Sequence, residues 1–145
     1  MNSSTPAPPA GYLLTKIAQV SAGRFAERIA GLHIRPKHYG LLAVTAAAPG
    51  SSQQQLGRLL GLVPSAIVTM IDDLESLGAV VRTSDPGSRR QFAIEITPAG
   101  SSLLTQATEL GAEVDDEILG HLTSHDRRMF SSLLAAIAQS LGIPR

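Results

Sequence analysis

Apolar residues recur along this chain at helical steps for most of its length, and the step changes once. From Tyr12 to about Gly31, Leu14, Ile17, Phe25, Ile29 and Leu32 return every three or four residues. That spacing predicts a long amphipathic helix with Arg24, Glu27 and Arg28 towards its polar side. Pro36 suits the first turn of a second helix, which runs through Tyr39, Leu41, Leu42 and Val44 and is stopped by Pro49-Gly50. Ser52 with Gln55 has capping-box spacing and opens a short helix carrying Leu56, Leu59 and Leu60, closed by Gly61. Pro64 starts the next, with Ile67, Met70, Ile71, Leu74 and Leu77 on one face and Gly78 at its end. Between Val80 and Ile96 the period becomes two. Phe92, Ile94 and Ile96 alternate with Ala93 and Glu95, and Asp85-Pro-Gly-Ser88 has the composition of a tight turn. This segment predicts a β-hairpin with one buried face and with Arg89 and Arg90 beside its tip. Helical spacing then resumes. Thr97 and Pro98 cap and start a long helix through Leu103, Leu104, Ala107, Leu110, Val114, Ile118 and Leu119. Thr123 with Asp126 caps a last helix carrying Met129, Phe130, Leu133, Leu134, Ile137 and Leu141.

The expected fold is therefore mostly α with a small β-hairpin, and the order of elements narrows its function. A short helix, a glycine turn and a second helix form a helix-turn-helix. A lone hairpin is marginal in water and must lean on such a body. The pair followed at once by an Arg-tipped hairpin is a winged helix. In that arrangement the second helix enters the major groove and the wing places a guanidinium in the adjacent minor groove. With Ile67, Met70, Ile71 and Leu74 turned inward, the opposite face offers Ser65, Ala66, Val68, Thr69, Asp72, Asp73 and Ser76. Ser65 and Thr69 have the hydroxyls to meet bases or phosphates, and Ala66 and Val68 suit thymine methyls. Pro64 stands at that helix's start. Ser52, Gln53 and Gln54 at the preceding helix start are candidates for the DNA backbone. Two blander readings stay open. The hairpin can be an ordinary exposed one, and the whole unit can be a winged-helix module whose partner is another protein.

Composition adds boundaries. With 145 residues, 43% hydrophobic and 17% charged, the chain has the makings of one globular domain. Aromatics are 3% with no Trp, so the core must be aliphatic, which favours helix on helix. No apolar run is long enough for a membrane span. The first ten residues, with Pro6, Pro8 and Pro9, read as a flexible arm rather than a signal peptide. Cysteine is absent, so disulfides and thiolate ligands are excluded, which suits a reducing, cytoplasmic setting. Formal net charge is zero, yet it is divided. Residues 1–100 hold nine Lys/Arg against six Asp/Glu, and residues 101–145 hold three against six. The hairpin lies in the positive part. His33, His38, His121 and His125 do not have the clustered spacing of a zinc site and read as solvated or helix-end residues. No nucleophile elbow and no glycine-rich phosphate loop occurs. Neither catalysis nor a cofactor is expected.

The run from Gln55 to Glu75, then Gly78-Ala-Val-Val-Arg82, Asp85-Pro-Gly-Ser-Arg-Arg90 and Ile96-Thr-Pro-Ala-Gly100, resembles the MarR family of bacterial transcription regulators. The resemblance covers nearly all of the chain after the arm. It implies a single domain over 11–145, with a DNA-binding lobe at about 36–97 and dimerisation helices at about 11–32 and 98–142. It further implies a homodimer on a pseudo-palindromic operator, most often as a repressor. Arg90, or Arg89 beside it, would be the minor-groove contact, with Arg82 and Ser88 in the same wing. Many members release DNA when a small aromatic or phenolic anion binds between the dimer helices and the DNA-binding lobe. By position, Arg24, Phe25, His33, His38 and Tyr39 are candidates to line such a cleft. Lack of Cys excludes the thiol-oxidation sensing used by some relatives. Three positions depart from the family pattern: Ser88 replaces an acid before the Arg pair, Thr69 stands where Arg is common, and Asp73 stands where a base is common. Fewer cations on the reading helix should leave affinity leaning on the wing, with a shallower salt dependence.

Overall fold

The computed structural model describes residues 7–84, 87 and 92–143. The first helix, α1, spans Ala10–Ile29 and tightens into a 3₁₀ turn at Ala30–Leu32. His33 ends this turn in the left-handed region at φ 58°, which reverses the chain. Then follow α2 (Pro36–Ala47), α3 (Gln53–Leu59) and α4 (Pro64–Ser76), the antiparallel strands β1 (Val80–Ser84) and β2 (Phe92–Ile96), and α5 (Pro98–Leu119) and α6 (Ser124–Ser140). This is a winged helix-turn-helix carried on long flanking helices.

Local chemistry sets the boundaries. Ser52 Oγ accepts from Gln55 N at 3.2 Å and Gln55 Oε1 accepts from Ser52 N at 2.7 Å, which is the reciprocal capping box its sequence predicts. Thr97 and Thr123 cap α5 and α6 through Gly100 N and Asp126 N. Pro36, Pro64 and Pro98 each open a helix. Gly78 turns out of α4 at φ 69°, where a side chain would be strained.

One aliphatic core joins these pieces. Ile29 and Ile34 meet Leu41 and Leu42 of α2, Leu56 of α3, Ile67, Met70, Ile71 and Leu74 of α4, Val80 and Ile94 of the hairpin, and Ala107 of α5. In β2 the buried residues differ from the alternation. Ala93 and Ile94 are both buried while Phe92 is 55% exposed. The cause is a third backbone partner. Ser52 bridges Ala93, and Ile94 N donates to Ser51 O at 2.9 Å. β2 is thus an inner strand over its middle, bonded on both edges, to β1 and to the entrance of α3, while Ala93 and Ile94 are buried on its two faces.

The flanking helices behave differently along their length. The second half of α1 packs on α5 and α2. Its first half leaves Tyr12, Leu13, Leu14, Ile17 and Val20 exposed, although Leu14 and Ile17 share the helical spacing of the buried Ile29. They project past the core. α6 buries no residue within the chain and leaves Met129, Leu133, Leu134, Ile137 and Leu141 exposed. Arg127 ties its start to α5, donating to Leu119 O at 3.0 Å and pairing with Asp116 at 2.8 Å.

Candidate nucleic-acid interface

The reading face of α4 emerges because four residues anchor the helix from behind. Ile67, Met70, Ile71 and Leu74 are buried, so Ser65, Val68, Thr69, Asp72 and Ser76 face outward and Ala66 lies at the margin. Thr69 Oγ1 donates to Ser65 O at 3.1 Å, and Ser76 Oγ donates to Asp72 O at 2.9 Å. Each hydroxyl therefore presents its lone pairs outward as an acceptor.

Three acids sit on this helix, and internal cations occupy all of them. Arg82 of β1 reaches across to both Asp72 and Glu75. Burial works against the charge on Arg82, but the two carboxylates outweigh it and raise its pKa. Asp73 turns towards the start of α2. It lies 3.0 Å from His38 Nε2 and 3.6 Å from the Arg35 guanidinium. The carboxylates that would otherwise repel a phosphate backbone are thereby neutralised in place.

Beside α4, Gln53, Gln54, Arg58, Pro64 and Phe92 line a groove of about 540 Å³ between α3, α4 and β2. Ser52 also reaches its wall, but the residue is 8% exposed and its hydroxyl caps α3. Of the residues expected at this helix start, the structure turns Gln53 and Gln54 outward and uses Ser52 internally. Sequence reading did not single out Phe92 or Arg58 here. Phe92 was read as buried because alternation implies one sheltered face. Ser88, Arg89 and Arg90 lie outside the described residues.

The five residues expected around a ligand cleft are only partly brought together. Phe25 and Tyr39 meet edge to face at 5.2 Å between ring centroids. With Ala18, Ser21, Ala22, Thr108 and Asp115 they line an open cleft of about 500 Å³ between α1, α2 and α5. Thr108 was not foreseen. It faces the Tyr39 hydroxyl at 3.4 Å. Arg24 does not line the cleft and lies 3.6 Å from Glu117, and Arg28 pairs with Glu113 and Glu117. His33 is exposed at the end of the 3₁₀ turn.

His38 stands apart from the cleft and is not solvated. It is 4% exposed, its Nδ1 accepts from Arg35 N at 3.1 Å, and its Nε2 meets Asp73. Burial lowers its pKa below the ordinary 6.5, over the opposing hydrogen bond to Asp73, and the cations of Lys37 and Arg35 act in the same direction as burial. Neighbours on α2 thus serve different places, Tyr39 in the cleft and His38 on α4. Among the described residues no group of His, Asp and Glu is placed to hold a metal ion, and no helix is long and apolar enough to cross a membrane.

This arrangement has close counterparts among known proteins. A family model described as the MarR family matches residues 31–91. The HTH-type transcriptional repressor Rv2887 of Mycobacterium tuberculosis is 28% identical over 126 residues, which cover 87% of this chain and 91% of that protein. Crystal structures of Rv2887 superpose closely. The complex with DNA gives a TM-score of 0.78 at 25% identity, covering 90% of this chain and 98% of the other. The complex with salicylic acid gives 0.74 at 27% identity, covering 90% and 97%. Sequence and fold agree in likening the chain to the MarR family of winged-helix transcriptional regulators.

Proposed function

We propose that this regulator acts as a homodimeric, sequence-specific repressor on duplex DNA and is released by a small aromatic acid or phenol. The observation that carries the DNA reading is α4. It presents an outward row of hydroxyl and small apolar groups, and its three acids are tied to Arg82, His38 and Arg35. Such a surface can approach base edges without facing uncompensated carboxylates. Ser65, Ala66, Val68 and Thr69 would read the major groove. Gln53, Gln54 and Arg58 would follow the backbone, and Arg89 and Arg90 of the wing would reach the minor groove.

A pseudo-palindromic operator needs two such helices about 34 Å apart. The apolar residues left outside on α1 and α6 suit the seam that would hold two copies together. Each large aliphatic side chain buried there contributes roughly 1.5–3 kcal/mol, enough for a stable dimer from a handful of contacts. The cleft containing Phe25 and Tyr39 lies where the flanking helices meet α2, and its aromatic wall and Thr108 hydroxyl suit a flat phenolic or carboxylic ligand. Rv2887, which shares the fold, has been crystallised with salicylic acid and with DNA. A ligand that alters the spacing of the two reading helices lowers affinity without touching the DNA face.

Electrophoretic retardation of the DNA flanking this gene, at two salt concentrations and with and without salicylate, tests the reading. Expected are a retarded band that weakens as salt rises and a further loss with salicylate. Sedimentation of the free protein should give twice the chain mass. No retardation at either salt would overturn the DNA reading and favour a protein partner. A monomer at micromolar concentration would overturn the dimer.

A further inference from the structure

We infer that His38 is a positioning residue for DNA binding: it joins the start of α2 to Asp73 and so fixes the orientation in which α4 meets the groove. The inference rests on the DNA-binding reading above. Three observations lead to it. First, the imidazole is buried, and both of its nitrogens are used in different directions, Nδ1 on Arg35 N and Nε2 on Asp73. Because Nδ1 accepts a backbone N–H, the ring proton is on Nε2 and is donated to the carboxylate. Hydrogen bonds of this charge-assisted kind are directional and short, so they define a relative position and not merely an attraction.

Second, Asp73 belongs to the reading helix. It is next to Asp72, which Arg82 holds against the hairpin. One helix turn is therefore pinned on one side to α2 and on the other to the wing. Third, the groups facing His38 give it no other role. Lys37 and Arg35 on its own helix and Asp73 from α4 are the charged groups that act on it. The ring is closed off from the Phe25–Tyr39 cleft and from solvent, so it contacts neither an incoming ligand nor DNA.

Two substitutions separate the pin from the bulk of the side chain. In His38→Asn the side-chain oxygen occupies the Nδ1 position and keeps the bond to Arg35 N, but nothing reaches Asp73. In His38→Gln the amide nitrogen occupies the Nε2 position and keeps the bond to Asp73 without a titrating ring, while the acceptor for Arg35 N is given up. Dissociation constants for the gene's own flanking DNA would be measured by fluorescence anisotropy at pH 7.5, at a temperature where circular dichroism shows every variant fully folded. His38→Asn is expected to bind about tenfold more weakly, the scale of one hydrogen bond to a charged group, and His38→Gln to return within threefold of the parent. In an Asp73→Ala background, which removes the acceptor, His38→Asn should change affinity less than twofold, because the link is already broken. Equal affinity of the parent and His38→Asn overturns the inference, as does equal loss in the Asn and Gln variants or a full tenfold loss in the Asp73→Ala background. If the parent itself binds no DNA, the underlying reading fails and takes this one with it.

Discussion

Gly100 is the position at which a single methyl group should do the most damage. It lies in the first turn of α5 and is fully enclosed. A Cβ built there would stand 1.9 Å from Ala79 O and 2.8 Å from both the Ala79 carbonyl carbon and Ile96 Cγ1. Backbone and a strand residue cannot rotate away as a long side chain does. Relief needs the start of α5 to move by about 1.5 Å to reach ordinary contact distance. That shift pulls on Thr97, whose amide donates to Ala79 O at 3.0 Å, whose hydroxyl donates to Gly78 O at 2.6 Å, and whose Oγ1 accepts from Gly100 N at 3.0 Å. Overpacking of this kind costs about 1–3 kcal/mol, and losing the cap adds roughly 1 kcal/mol. Better helix propensity of Ala returns less than about 1 kcal/mol. Gly100→Ala should therefore lose about 3 kcal/mol, or roughly 6–12 °C in melting temperature for a chain of this size. Urea unfolding followed by circular dichroism, at one fixed protein concentration, measures it. Gly23→Ala is the control: its Cβ meets nothing within 4 Å in the interior of α1, and it should gain about 0.5–1 kcal/mol. A Gly100→Ala protein within about 1 kcal/mol of the parent would refute the idea that this contact sets how closely α5 approaches the base of the hairpin.

Three further outcomes are expected. Arg82→Leu should lower stability by only about 0.5–1 kcal/mol, since Asp72 and Glu75 are well exposed to water. It should weaken DNA binding more than that, because it leaves two carboxylates uncompensated on the reading helix. Adding Asp72→Asn and Glu75→Gln should restore affinity, and an anisotropy titration showing no restoration would refute the charge argument. Ser52→Ala removes the capping hydroxyl of α3 and should cost about 1 kcal/mol in urea unfolding; no change in midpoint would mean that the bridge to Ala93 alone holds this turn. The lowered pKa of His38 means that the folded chain binds its proton less readily than the unfolded chain. Its contribution is complete above pH 6.5 and is lost as pH falls from there towards the lowered folded value. Unfolding midpoints taken from pH 8 to 5 should fall on the acid side, and His38→Gln should flatten that fall.

Much of this fold was legible in the sequence because its boundaries are written in local chemistry. Ser52 with Gln55, Thr97 with Pro98, Pro64 and Gly78 each act within a few residues, so spacing alone located them. The family resemblance rested on the same stretches. What was not legible depends on distant contacts. Phe92 reads as buried by alternation, yet the partner that covers β2 is the backbone of Ser51 and Ser52, some forty positions earlier. His38 reads as a helix-end histidine, which it is, but its burial and its bond to Asp73 need α2 and α4 to be packed. Asp73 itself reads as a departure from the family's base on the outer face of the reading helix. In the structure it turns inward and acquires partners. The same holds for Arg82, whose two acids lie one helical turn apart on α4 and become neighbours of β1 only after the glycine turn at Gly78 reverses the chain.

The seam between β2 and the entrance of α3 bears on how this protein avoids self-association by strand addition. An edge strand with free amides is a template for unwanted fibre-like stacking. Here the middle of β2 has backbone bonds on both sides, to β1 and to Ser51, and is closed to an incoming strand. On β1 the Arg82 amide is engaged by the Glu75 carboxylate at 3.4 Å, and the flanking guanidinium adds charge. A hairpin rich in Val, Ile and Phe is thus kept from being adhesive along its backbone edges.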